Sequence, residues 1–235
     1  MNRRTFLKAV PALGVLGITS SGLTDEVNDV NSATNVGSQI LPADIIKLNP
    51  PDLNEGISLM QALKKRKTNR DISDKKLTLQ QLSDLLWAAD GINRPDGKRT
   101  SPAAMGIYCV DIYVVLPEGI YLYDAPANGL KLIAKGDFRK YAGMQDFVFT
   151  APVNLVYTFT LKNPKNAPPA PIPEERRKMW GDVEVGCMVQ NVYLYCASQG
   201  LASVVRGMVD QKKFSEIIKV KPEQIIVAQT VGYPK

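Results

Sequence analysis

The sequence predicts an α+β fold in a single domain. Segments with helical and strand-like patterns follow one another without the strict alternation typical of parallel βαβ units. The chain has 235 residues, enough for one sizeable domain, although length alone would also permit two small ones. Its hydrophobic fraction of 45% is close to the globular average, so an ordinary buried core is expected.

Four segments have the periodicity and end signals of helices. Ser58 to Lys65 begins with a capping box, and so does the apolar stripe from Thr78 that Gly91 ends. A long helix is predicted from Glu174 to Gln199, with Gly200 as its C-terminal cap. The last helix is predicted from Asp210 to Lys219.

Six segments rich in β-branched and aromatic residues predict strands. The residues Pro117-Glu118-Gly119 between the first two strands predict a hairpin turn. The fourth strand is apolar almost throughout, which indicates a central position in a sheet. Five prolines within Pro164 to Pro173 predict a loop that cannot pair as a strand. The predicted strands are Val110–Leu116, Ile120–Tyr123, Leu130–Ala134, Pro152–Thr160, Ala202–Arg206 and Gln224–Val231.

The first 40 residues predict an export signal followed by a linker. Arg3 and Arg4 precede a short apolar run, Ala9 to Ile18, which is too short to serve comfortably as a permanent membrane span. The string R-R-T-F-L-K resembles a twin-arginine signal, so residues 1–22 predict export to the periplasm. An ordinary secretory signal is the alternative. Residues 23–40 predict a flexible linker, and residues 41–235 the folded domain.

The composition excludes several kinds of chemistry. The chain has no histidine, which removes Ser-His-Asp and Cys-His hydrolases, His-liganded haem and H-E-x-x-H metalloproteases. Its three cysteines form no C-x-x-C pair, so neither a metal site nor a disulfide framework is predicted. The net charge of +6 is modest, and no nucleic-acid partner is predicted.

The second half of the long predicted helix is apolar on almost every side. A helix with this pattern has to be buried on nearly all sides, and one small domain has too little protein to do so. A second subunit is the natural cover, so a homodimer is predicted. The apolar positions are Val185, Met188, Val189, Val192, Tyr193, Tyr195 and Cys196.

Three clusters are candidates for a binding site. Residues 66–70, Arg-Lys-Thr-Asn-Arg, offer guanidinium, ammonium and hydroxyl donors that suit a phosphate and a polyhydroxylated chain. A solvated basic face that complements the helix dipole is the alternative. Residues 99–106 are mostly small, which lets backbone approach a flat ligand, although a plain loop is equally compatible. Arg206-Gly207 ends a strand, where the glycine amide could meet a ligand edge.

Five segments of the domain carry motifs in a characteristic order. They are LKKRKTNRDI from Leu63, LTLQQLSDLLWAADGI from Leu77, RTSPAAMGIYCVDIYVV from Arg99, GIYLYD from Gly119 and VGYP from Val231. The first is similar to an R-R-S-x-R-x-F signature and the third to R-T-x-P-S-A-G-A-L-Y-P-x-x-x-Y. Together they resemble the nitroreductase family, most closely its SagB-type dehydrogenase branch, over residues 41–235.

The resemblance implies a nitroreductase-like fold, with a central mostly antiparallel sheet flanked by helices, in an intertwined homodimer that binds FMN. The residues that would hold the FMN phosphate and ribityl chain are Arg66, Lys67, Thr68 and Arg70. Lys235 would add a second phosphate contact. The four residues from Pro102 would come from the partner subunit to pack on the isoalloxazine. Arg206 and Gly207 would lie near the reactive edge of the ring, with the Gly207 N–H as a donor to N5 or O4. The implied residues are Arg66, Lys67, Thr68, Arg70, Pro102, Ala103, Ala104, Met105, Arg206, Gly207 and Lys235.

The same resemblance implies that the flavin performs the chemistry and the protein positions it. The expected cycle is ping-pong hydride transfer through N5, to or from a small organic substrate of the nitro, quinone or azoline type. No side chain is therefore predicted to be catalytic. Because NAD(P)H is not expected outside the cytoplasm, the donor of an exported enzyme is predicted to be a quinol, a protein or an organic substrate.

Three positions depart from the motif in ways that bear on substrate orientation more than on flavin binding. Ala103 stands in place of a serine, Met105 of a glycine and Cys109 of a proline. Lys67 and Thr68 replace arginine and serine but keep the charge and the hydroxyl. The alternatives to an enzyme are a non-catalytic flavin-binding module, a partner in a peptide-modifying complex and a basic protein that binds anionic surfaces.

Overall fold

The computed structural model of the protein describes residues 45–160 and 172–235. The predicted signal (1–22), the predicted linker (23–40) and most of the proline-rich loop lie outside the described residues. Within the described ranges the helices are α1 (Leu59–Lys65), α2 (Leu79–Asp90), α3 (Asp146–Thr150), α4 (Glu174–Gln199) and α5 (Gln211–Ile218). The strands are β1 (Ile45–Lys47), β2 (Val110–Leu116), β3 (Gly119–Asp124), β4 (Gly129–Lys135), β5 (Val153–Phe159), β6 (Ala202–Arg206) and β7 (Ile225–Gly232).

The seven described strands form one sheet in the order β1-β4-β3-β2-β5-β7-β6. Every neighbouring pair is antiparallel, which confirms the predicted α+β class. The strand predicted to be central is β5, which is buried along its whole length between β2 and β7. The predicted hairpin joins β2 to β3, with Tyr113 opposite Leu122.

Helices cover both faces of the sheet. On one face, α2 and α4 bury residues such as Leu86 and Met188 against Tyr157 of β5. On the other face, α5 places Phe214 against Tyr113, with the ring centroids 6.5 Å apart in an edge-on arrangement. The core therefore lies in two layers, one on each side of the sheet.

Local signals in the sequence account for most helix ends. The Thr78 side chain accepts a hydrogen bond from the Gln81 N–H and the Gln81 side chain binds back to the Thr78 N–H, which confirms the capping box. Gly200 ends α4 with a φ of +69°, a left-handed conformation that glycine adopts without strain. Ser58 caps α1 by accepting from the Gln61 N–H at 3.4 Å, but the Gln61 side chain does not bind back to the Ser58 N–H, so the capping box predicted there is only half formed.

One chain covers only one side of α4. Val185, Met188 and Val192 are at most 3% exposed, whereas Val183 is 63% exposed. Gly186 is exposed, and the space beyond its Cα is open for at least 4 Å. The described residues of a single chain therefore leave part of this helix without a packing partner.

The sequence patterns did not predict the shortest elements of the fold. The strand β1 has three residues and the helix α3 has five, too few to show a period. Short 3₁₀ turns also occur at Ala104–Gly106 and Arg139–Tyr141. In the described part of the chain, no helix combines the length and apolar character needed to cross a membrane.

Candidate functional site

An open pocket of about 470 Å³ lies where the end of α1, the C-terminal part of α4, the start of β6 and the chain terminus meet. One wall carries ammonium and amide groups and another is made of small or apolar side chains. Gly200 adds no side chain to this wall, so backbone is accessible there. The lining residues are Lys65, Lys67, Asn69, Tyr193, Cys196, Ala197, Gly200, Leu201, Ser203 and Pro234.

Backbone contacts bring the basic segment beside β6 and the C-terminus. The Asn69 N–H donates to the Ser203 carbonyl at 2.9 Å. Ile72 pairs with Pro234 in an antiparallel bridge, and the Lys235 N–H donates to the Asp71 carbonyl at 3.2 Å. Lys235 therefore lies on the same side of the molecule as residues 66–70, although 165 positions separate it from Arg70 in the chain.

Tyr193 joins the basic segment to the helix and the sheet. Its hydroxyl accepts the Val205 N–H at 2.8 Å and lies 3.2 Å from Thr68 Oγ1. The Arg66 guanidinium stacks over the ring, 5.2 Å from its centroid. The sequence placed Tyr193 among apolar core positions and missed this role. Its hydroxyl was the available signal, because a buried tyrosine oxygen requires a hydrogen-bond partner.

No carboxylate of the described residues compensates the positive charges of the pocket. Lys65, Lys67 and Arg70 are exposed, and none forms an ion pair with a carboxylate within residues 45–160 and 172–235. A group of cations without acidic neighbours favours an anion, and phosphate oxygens match such donors well. Arg70 does not line the pocket. It therefore adds to the positive electrostatic potential of the pocket more than it offers a direct contact to a ligand.

The Arg206 side chain points into the protein. Its Nη2 donates to Asn154 Oδ1 at 2.8 Å, its Nε to Thr230 Oγ1 at 2.9 Å, and its Nη1 to the carbonyls of Ala142 and Met208. Burial lowers the pKa of this guanidinium to about 10. The Arg206 side chain donates its hydrogen bonds to acceptors inside the protein. A contact with a ligand at this end of β6 would therefore come from the backbone of the next residue, Gly207.

Gly207 is the exposed position at that end of β6, and the space around its Cα is open for at least 4 Å. The chain from Ser203 to Gly207 extends about 13 Å along the strand axis, at roughly 3.3 Å per residue. The exposed glycine and the basic pocket thus lie at opposite ends of one short strand. An elongated ligand along β6 would reach both.

The predicted Pro102–Met105 segment lies elsewhere, on the turn that precedes β2. Met105 is 68% exposed and has a φ of +57°, which is rare for a residue with a side chain. None of the four residues lines the basic pocket of the same chain. Whether they reach the pocket of a second copy depends on the dimer, and their role stays a prediction.

A buried carboxylate lies beneath the beginning of β2. Glu184 of α4 is 1% exposed, and its Oε2 accepts the Cys109 N–H at 3.0 Å. Its Oε1 has no hydrogen-bond partner among the described residues. Burial raises the pKa of Glu184 to about 8. A carboxyl in this position is largely protonated at neutral pH.

In the azoline-oxidising relatives that the sequence resembles, a lysine lies beside a tyrosine, and Lys140-Tyr141 is such a pair, although it lies outside the matching motifs. The Lys140 ammonium lies 4.9 Å from the centroid of the Tyr141 ring, on a 3₁₀ turn at the surface. Neither residue lines the basic pocket.

A bound FMN fits the described residues on two observations. Uncompensated cations surround one end of the pocket, where a phosphate would bind, and the glycine at the far end of β6 leaves backbone open to a flat ring. No acid among the lining residues opposes the phosphate.

Comparisons with known proteins identify the family of the chain. The model of the nitroreductase family matches residues 63–233. A nitroreductase-like protein of Methanocaldococcus jannaschii is 28% identical over 201 residues, covering 78% of this chain and 95% of the relative. A crystal structure of a nitroreductase-like protein from Ralstonia eutropha JMP134 shares 37% identity and a TM-score of 0.72, covering 84% of this chain and 96% of that one.

A more distant structure shares the fold alone. The NADPH:FMN oxidoreductase of Vibrio harveyi, solved with NAD⁺, is 17% identical with a TM-score of 0.55 and covers 75% of this chain and 69% of its own. The family model spans most of the domain, including the basic segment, α4 and β6. The chain belongs to the nitroreductase family.

Proposed function

We propose that the protein is an FMN-dependent oxidoreductase that acts as a homodimer on a small organic substrate. The observation that carries the proposal is the basic pocket, which Lys65 and Lys67 line without an acidic partner among the residues that the structure describes. When bound, FMN would supply a hydride donor and acceptor at N5 for a ping-pong cycle between two substrates.

The residues of this chain would bind and orient the cofactor. Lys67 and Thr68 would hold the phosphate and the adjoining hydroxyls, and the C-terminal Lys235 would add a second cation. Tyr193 would fix the basic segment, because its hydroxyl and ring engage Thr68 and Arg66 together. The Gly207 amide would donate to the reactive edge of the ring.

The second copy is proposed from the surface that α4 leaves open. A shallow groove of about 480 Å³ lies between α1, α2 and α4, and residues such as Leu59, Trp87 and Leu194 line it. Leu59 and Met60 are 62% and 73% exposed, which is unusual for two adjacent apolar side chains on one short helix. In such a dimer, the family resemblance implies that the partner's Pro102–Met105 segment would lie near the flavin.

Within the family, we propose dehydrogenase chemistry closest to that of SagB-type enzymes, on the strength of the sequence motifs alone. Reduction of nitro or quinone acceptors is the competing assignment. The position of Lys140 and Tyr141 outside the pocket gives no support to an azoline-oxidising site built on that pair. Assays with azoline, nitroaromatic and quinone substrates would separate these chemistries.

Export to the periplasm is proposed from the leader sequence. It implies a donor other than NAD(P)H, because that nucleotide is not expected there. A fusion of residues 1–40 to a reporter, compared with the Arg3→Lys, Arg4→Lys double variant, would test the twin-arginine pathway. Loss of export only in the variant supports the proposal, and equal export of both contradicts it.

The decisive experiment is native purification followed by a visible spectrum and an FMN titration. We expect a yellow protein with the two absorption bands of oxidised flavin. Lys67→Gln should weaken FMN binding about tenfold or more, since a hydrogen bond to a charged group is worth about 1.5–3 kcal/mol. Lys64→Gln is the matched control, because Lys64 is also exposed in the last turn of α1 but does not line the pocket.

The alternatives predict other results. A non-catalytic flavin-binding module would be yellow but would not turn over with any donor in stopped-flow reduction. A basic surface-binding protein would be colourless and would pellet with anionic vesicles in a salt-sensitive manner. A colourless monomer that does not bind added FMN would rule out the proposed function, whereas equal effects of the Lys64 and Lys67 variants would rule out the proposed phosphate site.

A further inference from the structure

Asp90 is a buried carboxylate that serves as an anchor for the segment following α2. It is the last residue of that helix and is 1% exposed. Its Oδ1 accepts the Ser101 hydroxyl at 2.5 Å, and its Oδ2 forms an ion pair with Arg99 Nη1. Both oxygens are therefore engaged by residues that lie 9 and 11 positions later in the chain.

Arg99 connects the two ends of the same segment. Its guanidinium is held by Asp90 and lies 4.1 Å from the centroid of the Tyr108 ring. Its backbone N–H donates to the Tyr108 hydroxyl at 3.0 Å. Thr100 adds two contacts with the end of α2, because its N–H donates to the Gly91 carbonyl at 2.8 Å and its hydroxyl to the Trp87 carbonyl at 3.1 Å. Entry and exit of the segment are thus fixed around one carboxylate.

Between these two ends, the residues from Pro102 to Gly106 contribute no buried side chain, whereas Ile107 is buried in a cluster with Cys109 and Phe159. The turn from Ala103 to Ile107 is closed by two backbone hydrogen bonds of 3.1 and 2.9 Å. Pro102 and Met105 are exposed, and Met105 adopts a left-handed conformation. The position of this turn therefore depends on the anchors at residues 99–101 before it and at Ile107 and Tyr108 after it.

We infer that Asp90 is a positioning residue that, when ionised, holds the Arg99–Tyr108 loop and thereby places the Pro102–Met105 turn against the flavin bound in the partner subunit. This inference rests on the proposed function, because it assigns the turn a ligand that only a flavin-binding homodimer provides. Asp90 itself does not touch the flavin and acts through Arg99 and Ser101.

The interaction of Asp90 with Arg99 and Ser101 is expected to weaken at mildly acidic pH. Burial raises the pKa of Asp90 to about 6, against the opposing effects of the Arg99 charge and of the hydrogen bonds from Ser101 and Arg99. A proton on either Asp90 oxygen would point at a hydrogen-bond donor, Ser101 or Arg99, and would so break that hydrogen bond. It would also remove the negative charge that attracts Arg99. The other ionisable groups that face Asp90 come from β2, β3, β5 and α4, and they are Asp111, Tyr123, Tyr157 and Glu184.

The test compares FMN affinity between about pH 5 and about pH 8 in the full-length wild type and in Asp90→Asn, which mimics the protonated acid in shape. Wild-type affinity should fall several-fold as pH drops through about 6. Asp90→Asn should bind roughly tenfold more weakly at about pH 8, as expected for the loss of charge-assisted hydrogen bonds. It should keep only the smaller pH dependence of the FMN phosphate, whose second pKa is about 6.

Asp84→Asn is the matched control. Asp84 lies on the same helix, is 8% exposed and also has its pKa raised, chiefly by burial, but it accepts from the Asp52 N–H and from Gln80, away from the loop. It should follow the wild type. Ser101→Ala is a milder second variant that keeps the charge, and its transition should move to higher pH because the Ser101 hydrogen bond lowers the pKa of Asp90.

A flavin-independent measurement separates the inference from the proposed function. The chain has two tryptophans, and in a Trp180→Phe background Trp87 reports on the loop, because its indole N–H donates to the carbonyl of Ile92, which pairs with Arg99. Its fluorescence should titrate near pH 6 with Asp90 present and stay flat in Asp90→Asn. A flat Trp87 signal in both, or equal FMN affinity of wild type and Asp90→Asn at every pH, overturns the inference. A wild type that shows the Trp87 transition but never binds FMN overturns the proposed function and the flavin role of the turn.

Discussion

Replacement of Glu184 by glutamine offers a direct test of the electrostatics inside the domain. Glu184 has one oxygen on the Cys109 N–H and the other without a partner among the described residues. Glutamine keeps the shape and can still accept from Cys109, but it cannot ionise. The variant therefore removes one property of the side chain, the negative charge that appears at high pH.

The expected effect follows from the pKa of Glu184, which burial raises from the ordinary 4.5 to about 8. Between these values the folded state binds more protons than the unfolded state, so stability is greatest at low pH and falls as pH rises towards 8. From about pH 6 to about pH 9 the loss amounts to about 3 kcal/mol, at roughly 1.4 kcal/mol for each pH unit below the folded pKa. Glu184→Gln should abolish this loss.

The assay is urea unfolding at about pH 6 and about pH 9, followed by circular dichroism. At the lower pH the variant should already be more stable by about 2 kcal/mol, because the unfolded wild type ionises above pH 4.5 whereas its folded form stays protonated. At the higher pH this difference should grow to about 5 kcal/mol, the whole shift of the pKa from 4.5 to about 8. Glu216→Gln is the control, since the side chain of Glu216 is 54% exposed, and it should leave the difference between the two pH values unchanged.

The opposite result would refute the reasoning. If Glu184→Gln destabilises the protein at about pH 9 as much as at about pH 6, the carboxyl is not held neutral by burial. The side chain would then be ionised and stabilised by groups that its present surroundings do not contain.

Three further substitutions test other parts of the structure. Tyr193→Phe should cost about 1–3 kcal/mol of unfolding free energy and weaken FMN binding, because the Val205 N–H loses its acceptor; unchanged stability and affinity would contradict this role. Arg206→Lys should cost about 3 kcal/mol in thermal unfolding, since one ammonium cannot serve the acceptors that the guanidinium binds, and a cost below about 0.5 kcal/mol would argue against an internal role. Gly200→Ala should cost about 1 kcal/mol through its φ of +69° alone, because its surroundings are open, and a neutral effect would show that α4 can end in another way.

Most secondary structure could be predicted because its signals are local. The predicted Val110–Leu116 and Ala202–Arg206 are the observed bounds of β2 and β6, and Glu174–Gln199 are those of α4. Periodicity, β-branched residues and capping side chains act within a few positions, so they can be read along the chain. The order of the strands, which places β4 between β1 and β3, depends on pairing between distant segments that share no local signal.

The candidate site was predictable in part. The motifs indicated the basic segment, and the structure brings Lys67 together with Pro234 in one pocket. The motifs also named Arg206, but they could not show that its side chain turns inward to Asn154. The direction of a side chain at a strand end depends on which acceptors the neighbouring loops supply, and those loops come from other parts of the chain.

By itself the sequence determined the family, the main helices and strands, and the cationic segment that distinguishes one end of the pocket. Only the tertiary structure decided which carboxylates are withdrawn from water, as Asp90 and Glu184 are, and which hydroxyl joins α4 to the basic segment. The physical reason is that the ionisation of an acid and the worth of a hydrogen bond depend on desolvation and on partners, and both arise when segments far apart in the chain pack together.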